Sequence, residues 1–94
     1  MSPTCSCTAV LAASALAATG RNMLHGVIVG TDGTNAATVT VYDNTSAAGK
    51  KVFEAVVEGG SRSRDFMFSR PVRAELGLYV AISGTGATAQ AYYG

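Results

Sequence analysis

Met23-Leu24-His25-Gly26-Val27-Ile28-Val29-Gly30, then Thr31-Asp32-Gly33-Thr34-Asn35, then Thr38-Val39-Thr40-Val41-Tyr42-Asp43 is the stretch that decides the fold. Apolar and β-branched residues recur at period two on both sides of a turn-rich centre, which suits a half-buried pleated strand and not a helix. Asp-Gly favours a positive-φ turn, so the stretch predicts two strands joined as a β-hairpin.

Working outward, Asn44-Thr45-Ser46-Ala47-Ala48-Gly49-Lys50 is a turn cluster, after which Lys51-Val52-Phe53-Glu54-Ala55-Val56-Val57-Glu58 resumes the alternation. Phe53, Ala55 and Val57 share one face and form the expected core side; Val52, Glu54, Val56 and Glu58 share the other. Gly59-Gly60-Ser61 breaks the run. Arg64 to Arg70 is a further candidate strand with Phe66 and Phe68 inward, and Pro71 stops it or places it at a sheet edge. Leu78-Tyr79-Val80-Ala81-Ile82-Ser83 and Ala87 to Tyr93, joined by Gly84-Thr85-Gly86, predict a second hairpin with Leu78, Val80 and Ile82 inward. No stretch offers an amphipathic crossover helix, so parallel βαβ architecture is disfavoured. The expected fold is all-β: a single antiparallel β-sandwich, jelly-roll-like, of about six to eight strands with an extended Ala-rich N-terminal arm.

The chain has 94 residues, enough for one small domain. A domain of this size buries only about 60–65% of its unfolded surface, so its stability is thin without help. Two cysteines and one histidine, His25, supply neither a dense disulfide framework nor a zinc site of Cys and His. Association with other subunits remains. Only 14% of residues are charged, against roughly 25% in an ordinary soluble domain, which marks a surface built to be covered. A net charge of +1 gives no field to draw the chain to nucleic acid or an anionic membrane, so neither is expected as a direct partner.

Ala9 to Ala18 is Ala-rich and apolar, ending in an Ala-Leu-Ala triplet like that of a secretory signal. No Lys or Arg precedes it, the first basic residue being Arg21, so a cleaved signal is not expected. The run is also shorter than the roughly 20 apolar residues that span a bilayer. It has no charged face and no heptad, and we read residues 1–22 as an N-terminal arm or edge strand, with a short helix as the alternative, and residues 23–94 as the β-sandwich domain.

Leu24 to Asn35, Val39 to Thr45, Pro71-Val72-Arg73, Gly77-Leu78-Tyr79-Val80 and the closing Tyr92-Tyr93 together resemble small all-β structural proteins encoded by tailed bacteriophages. The resemblance covers residues 23–94 and leaves the Ala-rich arm and the Cys5-Ser6-Cys7 start outside it. It implies a virion component made in the bacterial host cytoplasm: most directly a capsid decoration or cement protein on the capsid surface, alternatively a neck, tail or fibre component that binds a receptor or another virion protein. The partners it implies are the major capsid protein or other virion proteins, together with copies of the chain itself, a trimer being favoured.

Candidate interface residues follow. Cys5 and Cys7 lie on one side of an extended segment, where they could meet adjacent subunits; the plainer reading is two buried free thiols. Val10, Leu11 and Leu16 are the large apolar side chains of the arm. Arg62, Arg64, Arg70 and Arg73 offer guanidinium forks that grip carboxylates bidentately on a partner; the plainer reading is a solvated edge strand whose charges prevent sticking. Tyr92 and Tyr93, with Tyr79, either line a recognition surface or complete the core. His25 has no second ligand at metal-binding spacing, and Asp32 and Asp43 read as turn caps, since the remaining carboxylates of a calcium loop are missing. No catalytic, cofactor or metal site is expected, and no enzymatic activity.

Overall fold

The computed structural model describes residues 6–60 and 63–94. Among them there is no helix, and eight strands follow one another: β1 (Ser6–Cys7), β2 (Ala15–Thr19), β3 (Asn22–Gly30), β4 (Ala37–Asp43), β5 (Lys50–Val57), β6 (Ser63–Ala74), β7 (Gly77–Ser83) and β8 (Thr88–Tyr93). They form two four-stranded antiparallel sheets, ordered β1-β8-β3-β6 and β2-β7-β4-β5.

Pairing nests about the turn between β4 and β5. β4 pairs with β5, β3 with β6, β2 with β7 and β1 with β8. The additional pairs β4–β7 and β3–β8 join alternate rungs into separate sheets. Local chemistry sets the central turn: the Asn44 side-chain amide donates to the Ala48 carbonyl at 3.0 Å, and its Oδ1 accepts the Thr45 N–H at 2.7 Å.

Neither of the two expected hairpins forms. β3 and β4 lie in different sheets, as do β7 and β8, so both turn-rich stretches are corners that carry the chain across the core. In the first corner Asp32 Oδ1 accepts the N–H groups of Thr34 and Asn35, each at 2.8 Å, which folds the connection on itself without strand pairing. In the second, Gly84 at φ 118° lies against the Ala36 carbonyl, where a β-carbon would collide. The two corners thus pack backbone on backbone, and only glycine fits at that position.

One apolar cluster fills the space between the sheets. Leu24, Val27, Val29, Ala89 and Ala91 from one sheet meet Val39, Val41, Val57, Leu78 and Val80 from the other, all 0–1% exposed. The faces read from alternation hold for Phe53, Val57, Phe66, Phe68, Leu78, Val80 and Ile82, each buried or packed against the core. Val52 departs from its expected outward face. The register shifts between Val41↔Phe53 and Tyr42↔Lys51, so Val52 falls in a bulge and packs against the core.

Each side of the stack is closed differently. On one side Phe53 of β5 meets Phe66 and Phe68 of β6, with ring centroids 5.4 and 5.6 Å apart, bridging the edge strands of the two sheets. On the other, Leu11, Ala17 and Ala18 pack against the core, and Leu11 exchanges backbone hydrogen bonds with Ala89 at 2.7 and 2.9 Å. β6 also bulges, with Phe68 to Pro71 opposite His25 alone, because the pairs on either side are Leu24↔Val72 and Gly26↔Met67. Pro71 lies on an edge strand within that bulge, where a missing N–H breaks no ladder.

Leu78 sits at 0% exposure on the inner strand β7. Leu78→Ala is expected to destabilise the domain by about 2–5 kcal/mol, a large share of the roughly 5–15 kcal/mol that holds such a domain together. Equilibrium urea unfolding followed by far-UV circular dichroism checks it, with an unchanged midpoint as the contrary result.

Candidate interface

The eight strands distribute charge unevenly around the domain. β5 carries Lys50, Lys51 and Glu54, and β6 carries Arg64, Asp65, Arg70 and Arg73, so the side formed by those two edge strands is highly charged. The opposite side is formed by residues 6–20, which supply β1, β2 and their connection and contain no charged residue. The two free sides of the sheets therefore differ in kind.

Placement of the candidate residues follows from this. Cys5 and Arg62 lie outside the described residues. Cys7 is exposed on β1, not buried; its Sγ accepts a weak hydrogen bond from the Gln90 side-chain amide at 3.6 Å, while the same amide donates to the Thr8 carbonyl at 3.0 Å. Cys7 pairs directly with Tyr92, so these two candidates do meet on one face. Tyr93 packs against the core and Tyr79 belongs to the other sheet, so the tyrosines do not converge on one surface.

On the uncharged side, Val10 is 66% and Leu16 41% exposed, whereas Leu11 turns inward. The arginines are dispersed along β6. Arg64 pairs with Val29 and holds its guanidinium 5.7 Å from the Phe66 ring centroid, a cation–π contact. Arg73 pairs with Met23 at the other end of β3 and approaches Glu75 at 3.9 Å. Arg70, within the bulge, is exposed. The exposed ion pairs Arg21–Glu75 at 3.2 Å and Lys51–Glu54 at 3.5 Å contribute little to stability.

Three exposed apolar residues were not among the candidates: Val56 on β5, Met67 on β6 and Leu76 in the β6–β7 connection, at 62%, 51% and 60% exposure. Alternation with Phe66 and Phe68 marks Met67 as outward, and alternation with Val57 does the same for Val56. Leu76 stands in a turn and carries no periodic signal.

Asp43 acts as the cap expected of it, though over a long distance in sequence. Its Oδ1 accepts the N–H groups of Glu75 and Leu76 at 2.9 and 2.8 Å, pinning the β6–β7 connection to the end of β4. The Leu76 N–H is the main reason its carboxyl is held below the ordinary carboxylate value, with the Glu75 and Gly77 amides and Lys50 adding to the effect against desolvation. Asp32 is lowered likewise, first by the Asn35 backbone N–H and then by the Asn35 side chain and the Thr34 N–H. Among the described residues there is no cavity, no group of three His, Cys, Asp or Glu side chains able to hold a metal ion, and no helix long and apolar enough to cross a membrane. No family model matches the chain, and neither a curated protein nor a solved structure matches it.

Both aspartates have folded-state pKa values depressed below the unfolded value, so their contribution is present above the ordinary 3.8 and is lost as pH falls through the lowered folded value. Asp43→Asn is expected to flatten the acid limb of the stability–pH profile. Asp43→Ala, which strips both amides of their acceptor, should lower stability at neutral pH by about 1 kcal/mol. Thermal melts across the acid range check both, and a profile identical to that of the parent chain contradicts the cap.

Proposed function

We propose that the chain is a jelly-roll β-sandwich serving as a non-enzymatic virion structural protein, a capsid decoration or cement protein that stabilises the phage head by packing against neighbouring subunits. The sheet orders β1-β8-β3-β6 and β2-β7-β4-β5 support the fold half of this reading, since an eight-stranded double Greek key pairs its strands in that nested way.

The observation that carries the functional half is the surface. Only 14% of the residues are charged, and the side of the domain built from residues 6–20 carries no charged residue while exposing Val10 at 66% and Leu16 at 41%, a surface that favours contact with other protein. Binding to the assembled lattice in preference to the free coat subunit stabilises the shell by mass action. Arg70 and Arg73 on the β6 side are suited to carboxylates on the capsid surface, where guanidinium forks add orientation as well as attraction.

Counting copies per particle, by mass or in a density map, tests the assignment. A number close to that of the coat protein supports a decoration role; a few copies per particle would place the chain in the neck, tail or fibre instead. Changing Arg70 and Arg73 together to Glu is expected to reduce particle attachment by at least about tenfold at low salt, with the difference shrinking as salt is raised. Cosedimentation with shells checks it, and unchanged attachment leaves those arginines as a solvated edge.

A further inference from the structure

We infer that residues 6–13 are a strap that opens and closes as one unit over the outer edge of β8 while the two sheets stay shut. The inference does not rest on the virion reading, because it concerns the domain alone.

The attachments of this segment converge on a single strand. The Leu11 N–H donates to the Ala89 carbonyl at 2.7 Å, the Leu11 carbonyl accepts the Ala89 N–H at 2.9 Å, and the Thr8 N–H donates to the Ala91 carbonyl at 2.9 Å. Beyond these, side chains replace the regular ladder. The Ala91 N–H goes to the Thr8 hydroxyl at 3.1 Å, and the Thr8 carbonyl accepts from the Gln90 side-chain amide at 3.0 Å. Ser6 and Cys7 pair with Tyr93 and Tyr92 of the same strand. Leu11 packs against the core, whereas Cys7, Ala9, Val10, Ala12 and Ala13 are exposed. One half-buried leucine and a short run of edge bonds are little to set against the entropy of ordering the whole segment, and such a segment opens at less cost than the domain unfolds.

The boundary of the strap is set by its next attachment, which lies in the other sheet. Ser14 Oγ accepts the Ile82 N–H at 2.9 Å, and from Ala15 onward the chain pairs with β7. Ala12 and Ala13, exposed between Leu11 and Ser14, are the hinge. What lies beneath stands without the strap: β8 pairs along β3 from Leu24↔Tyr93 to Gly30↔Thr88, and Ala89 and Ala91 stay in the layer between the sheets. Opening therefore frees one edge of β8 and withdraws one leucine from the margin of the core. That edge, Thr-Ala-Gln-Ala-Tyr-Tyr, has no charge or proline of its own to discourage stray pairing, so the closed strap is what blunts it.

Amide hydrogen exchange of the full chain, followed by NMR, tests this within one strand. Because Leu11 and Ala89 exchange both hydrogen bonds, the Ala89 N–H faces the strap, as does that of Ala91, while the Gln90 N–H between them faces β3. Ala89 and Ala91 are expected to be protected, but at least about tenfold less than Gln90 and than Val41 of the inner strand β4. Dilute urea should speed exchange at Gln90 and Val41 and leave Ala89 and Ala91 unchanged, since opening the strap exposes little surface. Leu78→Ala should do the same, because the contacts of Leu78 survive strap opening; should that variant fail to fold, the urea series on the parent chain carries the comparison. Equal protection at Ala89, Gln90 and Ala91 overturns the proposal, as does a response to urea shared by all four amides. Ala89 and Ala91 exchanging as fast as amides of an unfolded chain overturns it too, since no closed strap would then exist.

Discussion

Everything in this domain depends on two sheets closing over a core made almost entirely of small aliphatic side chains. The fully enclosed set consists of valines and alanines with Leu24 and Leu78 as the largest members. Such side chains let the sheets approach closely, and burying each removes only a modest apolar area, so the summed driving force is small for a chain of this length. The aromatic weight is displaced to one side, where Phe53, Phe66 and Phe68 seal the gap between β5 and β6. That side is finished by the chain's own rings, whereas the β1–β2 side is finished by Leu11 and two alanines.

The existence and inward faces of the longer strands were legible in the sequence because period-two alternation reports burial directly. Val39 and Val41, Leu78 and Val80, Phe66 and Phe68 all face the way that the pattern demands. Pairing partners were not legible. Alternation is the same whether a strand's neighbour lies across a hairpin or in the opposite sheet, and the turn chemistry of Asp32-Gly33 serves a corner as readily as a hairpin. What selects the corner is long-range: β3 is hydrogen-bonded on both edges by β6 and β8, and β4 by β5 and β7, so neither has an edge left for the other. The nesting of β1–β8 and β2–β7 likewise joins residues at opposite ends of the chain, which no local signal encodes.

The candidate surface was readable only in part. Residue type picked out Val10, Leu11 and Leu16 of an uncharged segment, of which Val10 and Leu16 are exposed while Leu11 packs inward, and composition had already shown a chain short of charge. Grouping failed where the three-dimensional path intervened: Tyr92 and Tyr93 are consecutive, so on a strand they face opposite ways, one toward Cys7 and the other into the core. The arginines of β6 are close in sequence, but the strand is extended, and Arg64 and Arg73 end up opposite Val29 and Met23. Asp43 was recognisable as a cap, yet its partners stand more than thirty residues away.

Charge segregation follows from the same topology that defeats local prediction. Because pairing nests around the β4–β5 turn, the middle of the chain supplies one side of both sheets and its beginning supplies the other. The middle, from Lys50 to Arg73, is rich in charged residues; the beginning, from Ser6 to Gly20, has no Asp, Glu, Lys, Arg or His. A sequence with charge concentrated in its centre is thereby turned into a domain with one charged side and one uncharged side. The outer edges of β5 and β6 gain protection against indiscriminate pairing from those charges, while β2 carries none and is blunted by its shortness and by the bulge at Ala17. A core this light leaves little stability in reserve, so the two largest side chains it encloses, Leu24 and Leu78, carry a disproportionate share of what holds the sheets together.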